Sequence, residues 1–295
     1  MRRRFFTLDV FTTRRFAGNP LAVVLEPGGL DDALMQAIAR EYNLPETVFV
    51  FPPGEPGYRA RLRIFTPARE IPFAGHPTVG TAVLLAHLDG GAGERELVLG
   101  ENVGPVACTV TPGADGGSAS FVVPRLPEKL GALDHKGALA AALGIATADI
   151  GFGGFKPEAW AAGNSFAFVP VTDLDALGRA RPDMARWDKA LGAGGLNGAF
   201  LFCAGDGALF RARMFAPAMG VPEDPATGSA AAAFAGVLAA SGRYGDGEHR
   251  VAIGQGFEMG RPSTIRLGMT MRGGKLAGAT VGGEAVIVSE GTIEA

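Results

Sequence analysis

The sequence predicts an α+β fold of two similar halves related by a pseudo-twofold, each a curved, mostly antiparallel sheet wrapped around a buried central helix, with a cleft between the halves. Three observations predict it: an internal repeat, two helical stretches with no charged face, and short strand patterns joined by glycine and proline turns. RIFTPAREIP from Arg63 and RMFAPAMGVP from Arg213 agree at five of ten positions. After two residues of slippage HPTVGTA from His76 matches DPATGSA from Asp224, and GNPLAVV from Gly18 is echoed by GNSFAFV from Gly163. The shared order marks residues 1–128 and 129–282 as copies of one unit. The final GGEAVIVSEGTI alternates like a strand, so 283–295 is expected to return and complete the first half.

Each element has its own signal. FFTLDVF and GNPLAVVLE read as strands joined by the turn-prone RRFAGNP. DDALMQAIAREYN places Leu34, Ile38 and Tyr42 four apart behind an acidic first turn, which predicts an amphipathic helix. ETVFVF and RLRIFTP are strands again. TVGTAVLLAHL and, in the second copy, SAAAAFAGVLAA are apolar on nearly every face, so both helices must be enclosed by a sheet.

Composition narrows the function classes. The 295 residues suffice for about two domains, and with 19% charged residues and a net charge of −3 there is no basic excess to hold nucleic acid. The basic start MRRRFF is interrupted by Asp9, Arg14 and Arg15 before an export-signal core could form, so a cytoplasmic location is expected. No apolar run reaches the roughly 18 residues of a membrane span. Cys108 and Cys203 lie in strand patterns without metal-ligand spacing and are expected as reduced core thiols. A phosphate-binding glycine fingerprint, a nucleophile elbow and a metal-ligand cluster are all missing from the sequence.

The repeated loops carry the candidate chemistry. Each sets small residues at the start of a buried helix, where backbone N–H groups lack intrahelical partners and the dipole is positive, an arrangement suited to a small carboxylate. Plain N-capping by Thr81 and Ser229 is the alternative. Glu46 opens an apolar strand after a proline; it is either a carboxyl tuned for proton transfer or a strand-edge glutamate. His76 and Asp224 take equivalent places in the slipped alignment, as an acid/base pair or as a turn histidine and a capping carboxylate.

DVFTTRRFAGNPLAVV, NLPETVFV, RIFTPAREIPFAGHPTVG, EDPATGSAAAA and QGFEMGRPS, in that order, make the whole chain resemble the PhzF-like phenazine biosynthesis family of the diaminopimelate epimerase fold superfamily. The resemblance implies cofactor-independent isomerisation of a small carboxylated metabolite in a homodimer, with neither metal nor cofactor. It assigns proton transfer to Glu46, supporting roles to His76 and Asp224, and substrate-binding positions to Asn19, Gly75, Gly228 and Ser229. Related racemases use a pair of cysteines in the two loops; AGHP and DPATGS contain none. Pro45 departs from the family pattern, in which a serine often precedes the glutamate. An epimerase using Glu46 and Asp224 as opposed bases, and a carboxylate-binding protein without turnover, are the alternatives.

Overall fold

A helix that is apolar all round has to be covered all round, and in the computed structural model each of the two such helices is packed against strands of its own half of the chain. The structure describes residues 1–192, 195–206, 210–217 and 220–295. They form two compact units, Met1–Val122 with Gly282–Ala295, and Val123–Val281.

The first unit contains β1 (Arg2–Val10), β2 (Asn19–Leu25), α1 (Asp32–Tyr42), β3 (Glu46–Phe51), β4 (Ala60–Phe65), β5 (Glu70–Ile71), α2 (Gly75–Asp89), β6 (Arg95–Glu101), β7 (Gly104–Gly113) and β8 (Gly116–Val122). The second contains β9 (Glu128–Ala132), α3 (Lys136–Leu143), β10 (Glu158–Ala162), β11 (Asn164–Pro170), α4 (Leu174–Arg179), α5 (Met184–Ala190), β12 (Gly198–Cys203), β13 (Phe210–Ala216), β14 (Val221–Asp224), α6 (Gly228–Ala240), β15 (Gly247–Gln255) and β16 (Ser263–Arg272). The last strand, β17 (Lys275–Glu294), belongs to the second unit up to Val281 and to the first from Gly282. Its residues Ala285–Glu294 pair antiparallel with β1.

Most strand pairs are antiparallel; the parallel ones fall at matching places. β2 and β3 pair parallel across α1, and β11 and β12 across α4 and α5. β4 and β6 pair parallel with α2 between them in the chain, as β13 and β15 do with α6. Parallel neighbours need a crossover of this length, so the helix positions follow from the pairing.

Strand alternation sorts the side chains between two faces. In the first unit Val24 and Phe49 pack with Met35 and Ala39 of α1. The intervening residues of β3, Glu46, Val48 and Val50, therefore lie on the side of α2. The buried stripe of α1 is Met35 and Ala39, whereas Leu34 is 40% exposed, a rotation from the expected Leu34 face. Ile38 and Tyr42 still pack against this cluster, and Arg63 pairs with Asp32 at the helix start. In the second unit Ala167, Val169, Ala199 and Leu201 pack with α3, α4 and α5, while Phe168, Phe200, Phe202 and Phe210 gather around Phe234 of α6.

The repeated arginines do the same job in both units. Arg63 Nε and Nη2 donate to the two oxygens of Glu70 at 2.8 and 2.6 Å, and Arg213 Nε and Nη2 donate to Glu223 at 2.8 Å each. Each guanidinium also lies over the ring two residues on, Phe65 or Phe215. The third nitrogen, Nη1, reaches an outer helix: Asp32 of α1 in one case, the carbonyls of Leu177 in α4 and of its C-cap residue Ala180 in the other. Only the planar fork of arginine makes all these bonds at once.

Close approach to the enclosed helices requires glycine at two positions. A Cβ at Gly80 of α2 would lie 2.7 Å from both Leu21 and Val10, and one at Gly236 of α6 would lie 2.5 Å from the Trp160 ring. Alanine is favoured over glycine in a helix by about 1 kcal/mol, but overpacking costs about 1–3 kcal/mol, so Gly80→Ala and Gly236→Ala are both expected to destabilise. A Cβ at Gly137 of α3 would have nothing within 4 Å, so Gly137→Ala is expected to stabilise by about 0.4–1 kcal/mol. Urea unfolding of the three variants checks both signs.

Candidate functional site

α2 begins a turn earlier than the sequence suggests. Its N-cap is Ala74, and Gly75, His76 and Pro77 are its first three residues. Proline is tolerated there because first-turn N–H groups have no intrahelical acceptor to lose. Thr81 accordingly lies inside the helix and is buried, not a cap. α6 starts in the same way, with Thr227 as N-cap and Gly228 and Ser229 as its first two residues, so Ser229 is not a cap either. Counted from the helix starts, Gly75 and His76 correspond to Gly228 and Ser229. The expected pairing of His76 with Asp224 is therefore corrected: Asp224 closes β14, where it is registered with Met214, and precedes its helix by four residues.

In the first unit, three elements meet around His76. β2 begins with the buried Asn19, reached through Gly18 at φ +64°, where a Cβ would stand 2.3 Å from the Val10 carbonyl oxygen. Glu46 opens β3 in register with Leu21 of β2. His76 Nε2 lies 3.4 Å from Glu46 Oε2, with only 5% of the histidine side chain and 17% of the glutamate side chain exposed. The imidazole also bonds the Pro20 backbone carbonyl, which must use a ring N–H. Nε2 has no hydrogen bond of normal geometry, so the donor to Pro20 is Nδ1–H and Nε2 keeps its lone pair toward Glu46.

Burial is the larger influence on this histidine. It pushes the imidazole down to about 3, against the smaller opposing effect of the Pro20 bond. His76 is thus neutral at physiological pH, and its free lone pair faces a carboxyl oxygen.

In the second unit, Asp224 is held by its own loop. The Thr227 hydroxyl donates to Asp224 Oδ2 at 2.5 Å. Gln255, wholly buried at the end of β15, donates to the Asp224 carbonyl at 2.7 Å and to Thr227 Oγ1 at 3.1 Å, and accepts from Thr227 N–H at 3.3 Å. Gln255 opens the QGFEMGRPS stretch, yet sequence reasoning misses it. Its only signal is a polar residue ending an otherwise inward-facing strand pattern.

Cys108 and Cys203 are buried and free, with burial pushing the thiols up to about 12 and about 11. Among the described residues, no cluster of three or more His, Cys, Asp or Glu is arranged to hold a metal ion. No helix among them is long and apolar enough to cross a membrane.

The family profile described as phenazine biosynthesis-like protein matches residues 8–291. An uncharacterised isomerase of Mesorhizobium japonicum is 47% identical over 297 residues, covering 99% of this chain and 98% of the relative. Trans-2,3-dihydro-3-hydroxyanthranilate isomerase of Pseudomonas fluorescens is 38% identical over 291 residues, covering 98% of each. Among solved structures, the Bacillus anthracis PhzF-family phenazine biosynthesis protein superposes with a TM-score of 0.89 at 24% identity over all of both chains. A Pseudomonas aeruginosa protein described as a predicted epimerase superposes with a TM-score of 0.82 at 34% identity over 99% of each. An Agrobacterium vitis hydroxyproline epimerase shares the fold, with a TM-score of 0.62 at 13% identity over 99% of this chain and 92% of the epimerase. With a match over nearly its whole length, the chain belongs to the phenazine biosynthesis-like protein (PhzF) family and is an isomerase.

Proposed function

We propose that the enzyme moves a proton between carbons of a small carboxylated, cyclic or unsaturated metabolite without a cofactor, and that Glu46 carries the proton. The observation that supports this most is the 3.4 Å approach of Glu46 Oε2 to the Nε2 of a neutral His76. In the first half of the reaction the Glu46 carboxylate takes a proton from one carbon. In the second it returns a proton to another carbon of the same molecule as the double bond shifts, so no oxidant or reductant is required. While Glu46 is protonated it can donate to Nε2, a hydrogen bond that a charged imidazolium could not accept. A neutral histidine therefore favours the loaded state of the carrier.

The remaining residues have supporting parts in this reading. Gly75, Gly228 and Ser229 supply first-turn backbone N–H groups for the substrate carboxylate, Asn19 lines the site, and Asp224, oriented by Thr227, assists. The enzyme works as a cytoplasmic homodimer. Trans-2,3-dihydro-3-hydroxyanthranilate, on which the Pseudomonas fluorescens relative is named as acting, is the first substrate to test. The 34% identity to a protein described as a predicted epimerase favours a second reading, in which Glu46 and Asp224 act as bases at one stereocentre. An isomerisation changes the ultraviolet spectrum, whereas epimerisation in deuterium oxide labels one inverted carbon and leaves the chromophore intact.

Glu46→Gln keeps the shape and cannot take a proton. It is expected to lower kcat on trans-2,3-dihydro-3-hydroxyanthranilate by about 10²–10⁴-fold; turnover equal to that of the wild type would remove Glu46 from the mechanism. The depressed His76 value has a second consequence. The folded state holds the imidazole neutral down to about 3, while the unfolded chain protonates near its ordinary 6.5. The stabilising contribution is present above about 6.5 and is lost as pH falls toward 3, with a limiting slope of about 1.4 kcal/mol per pH unit. The stability difference between wild type and His76→Gln, measured by urea unfolding, should shrink across that window.

A further inference from the structure

Glu101 is a buried acid that the proposed reaction does not use. It ends β6, where alternation puts Leu97, Leu99 and Glu101 on the face covered by α2, and it is 8% exposed. Its Oε1 lies 2.7 Å from Thr78 Oγ1 in the first turns of α2, and the same hydroxyl oxygen lies 2.8 Å from the carbonyl oxygen of the N-cap residue Ala74. Thr78 N–H also donates to that carbonyl, at 3.2 Å.

These distances pose a proton inventory. Thr78 has one hydroxyl proton and two oxygens within bonding distance. Were Glu101 ionised, both would be acceptors and one contact would have no hydrogen in it. With Glu101 protonated, the set closes as a directed chain: the Glu101 O–H donates to Thr78 Oγ1, and Thr78 O–H donates to the Ala74 carbonyl. The other carboxyl oxygen, Oε2, is buried with no partner among the described residues, a position that tolerates a neutral acid and penalises a carboxylate.

We propose that Glu101 is a positioning residue, held as the neutral acid, whose proton locks Thr78 and with it the turn of α2 that presents Gly75 and His76. The proposal rests on the reading of that turn as part of the site. Burial pushes Glu101 up to about 8, with the Thr78 bond acting in the opposite direction. The titratable groups on the same side of the neighbouring elements are Cys108 of β7, His76 of α2 and Glu46 of β3. Cys108 stays a thiol and His76 stays neutral. Arg95, on the same face of β6, is engaged by the Ala86 and Gly90 carbonyls near the other end of α2. Arg61 and Arg63 of β4 fall on the opposite face by alternation, and Arg63 is bound to Glu70 and Asp32. None of these cations stabilises an ionised Glu101.

The sign of the pH effect follows. Glu101 is protonated in the fold up to about 8 and in the unfolded chain only up to about 4.5, so its contribution is complete below about 4.5 and is lost as pH rises through 8. Glu101→Gln supplies an N–H donor to Thr78 that cannot ionise. It should keep wild-type kcat on trans-2,3-dihydro-3-hydroxyanthranilate at pH 7 within about twofold, and should lack both the fall in Tm that the wild type shows from about pH 4.5 to 8 and the alkaline fall in kcat that it shows through 8. Glu101→Ala, which frees the turn, should lose kcat about tenfold at pH 7.

Infrared spectroscopy needs no substrate, and its first measurement is made on the wild type alone. Wild type at pH 6 should show the carbonyl band of a buried neutral carboxylic acid that vanishes by pH 9.5, and Thr78→Val, which removes the acceptor, should shift that band. Absence of the band at pH 6, a tenfold loss in Glu101→Gln at pH 7, or an unchanged alkaline fall in that variant would each overturn the proposal. If Glu46→Gln retained full turnover the functional reading would fail, while the infrared and melting results would still decide whether Glu101 locks the turn.

Discussion

The enclosure of α2 is the constraint on which the rest of the first unit depends. From Gly75 to Ala86 every residue of this helix is buried, and β1, β2, β3, β6, β7 and β8 all pack on it. Such a helix has no surface on which to carry a polar group cheaply. Burying a polar group without a partner costs a few kcal/mol, and an unpaired charge costs far more. Of the polar side chains in this layer, His76 and Glu101 are therefore pushed toward neutral forms, and Thr78 is held by local hydrogen bonds. The same packing that stabilises the fold sets the protonation states near the start of the helix.

This explains how a histidine and two carboxyls can have different parts within one small region. His76 gives its N–H to Pro20 and keeps a lone pair; Glu46, at the less buried end of β3, faces that lone pair. Glu101 sits deeper and is kept as an acid by burial, since Arg95, the cation on its face of β6, is engaged by the Ala86 and Gly90 carbonyls. Environment separates the groups, although two of the three are the same residue type. α6 repeats the enclosure with a different solution: Ser229 stands where α2 has His76, and the titratable group, Asp224, is moved ahead of the helix and fixed by Thr227 and Gln255.

Much of the architecture is legible in the sequence because it is written in periodicity and repetition. The Arg63 and Arg213 stretches are visible as a repeat, and the structure gives both arginines one task, a fork to the carboxylate of the next strand. The unbroken apolar runs of α2 and α6 are visible as enclosed helices. The start of α2 is not, because Gly-His-Pro has the composition of a turn, and only the absence of an N–H requirement in a first turn lets the helix include it. The pairing of His76 with Asp224 follows matching letters, Pro and Gly, where the fold is aligned by helix starts. Glu101 is hidden for a related reason. Within GENVG it resembles the polar end of a hairpin, and its burial is imposed by a helix that begins some 25 residues earlier in the chain. Protonation states are not legible at all, since they depend on which distant elements exclude water.

The central claim is that enclosure keeps His76 neutral and so gives Glu46 a partner for its proton. Nitrogen-15 NMR of the histidine-labelled enzyme, followed from pH 8 to pH 4, reads this directly. The His76 signals should stay those of a neutral imidazole carrying its proton on Nδ1 throughout. A His76 signal that became imidazolium near pH 6.5, or that showed the proton on Nε2, would contradict it.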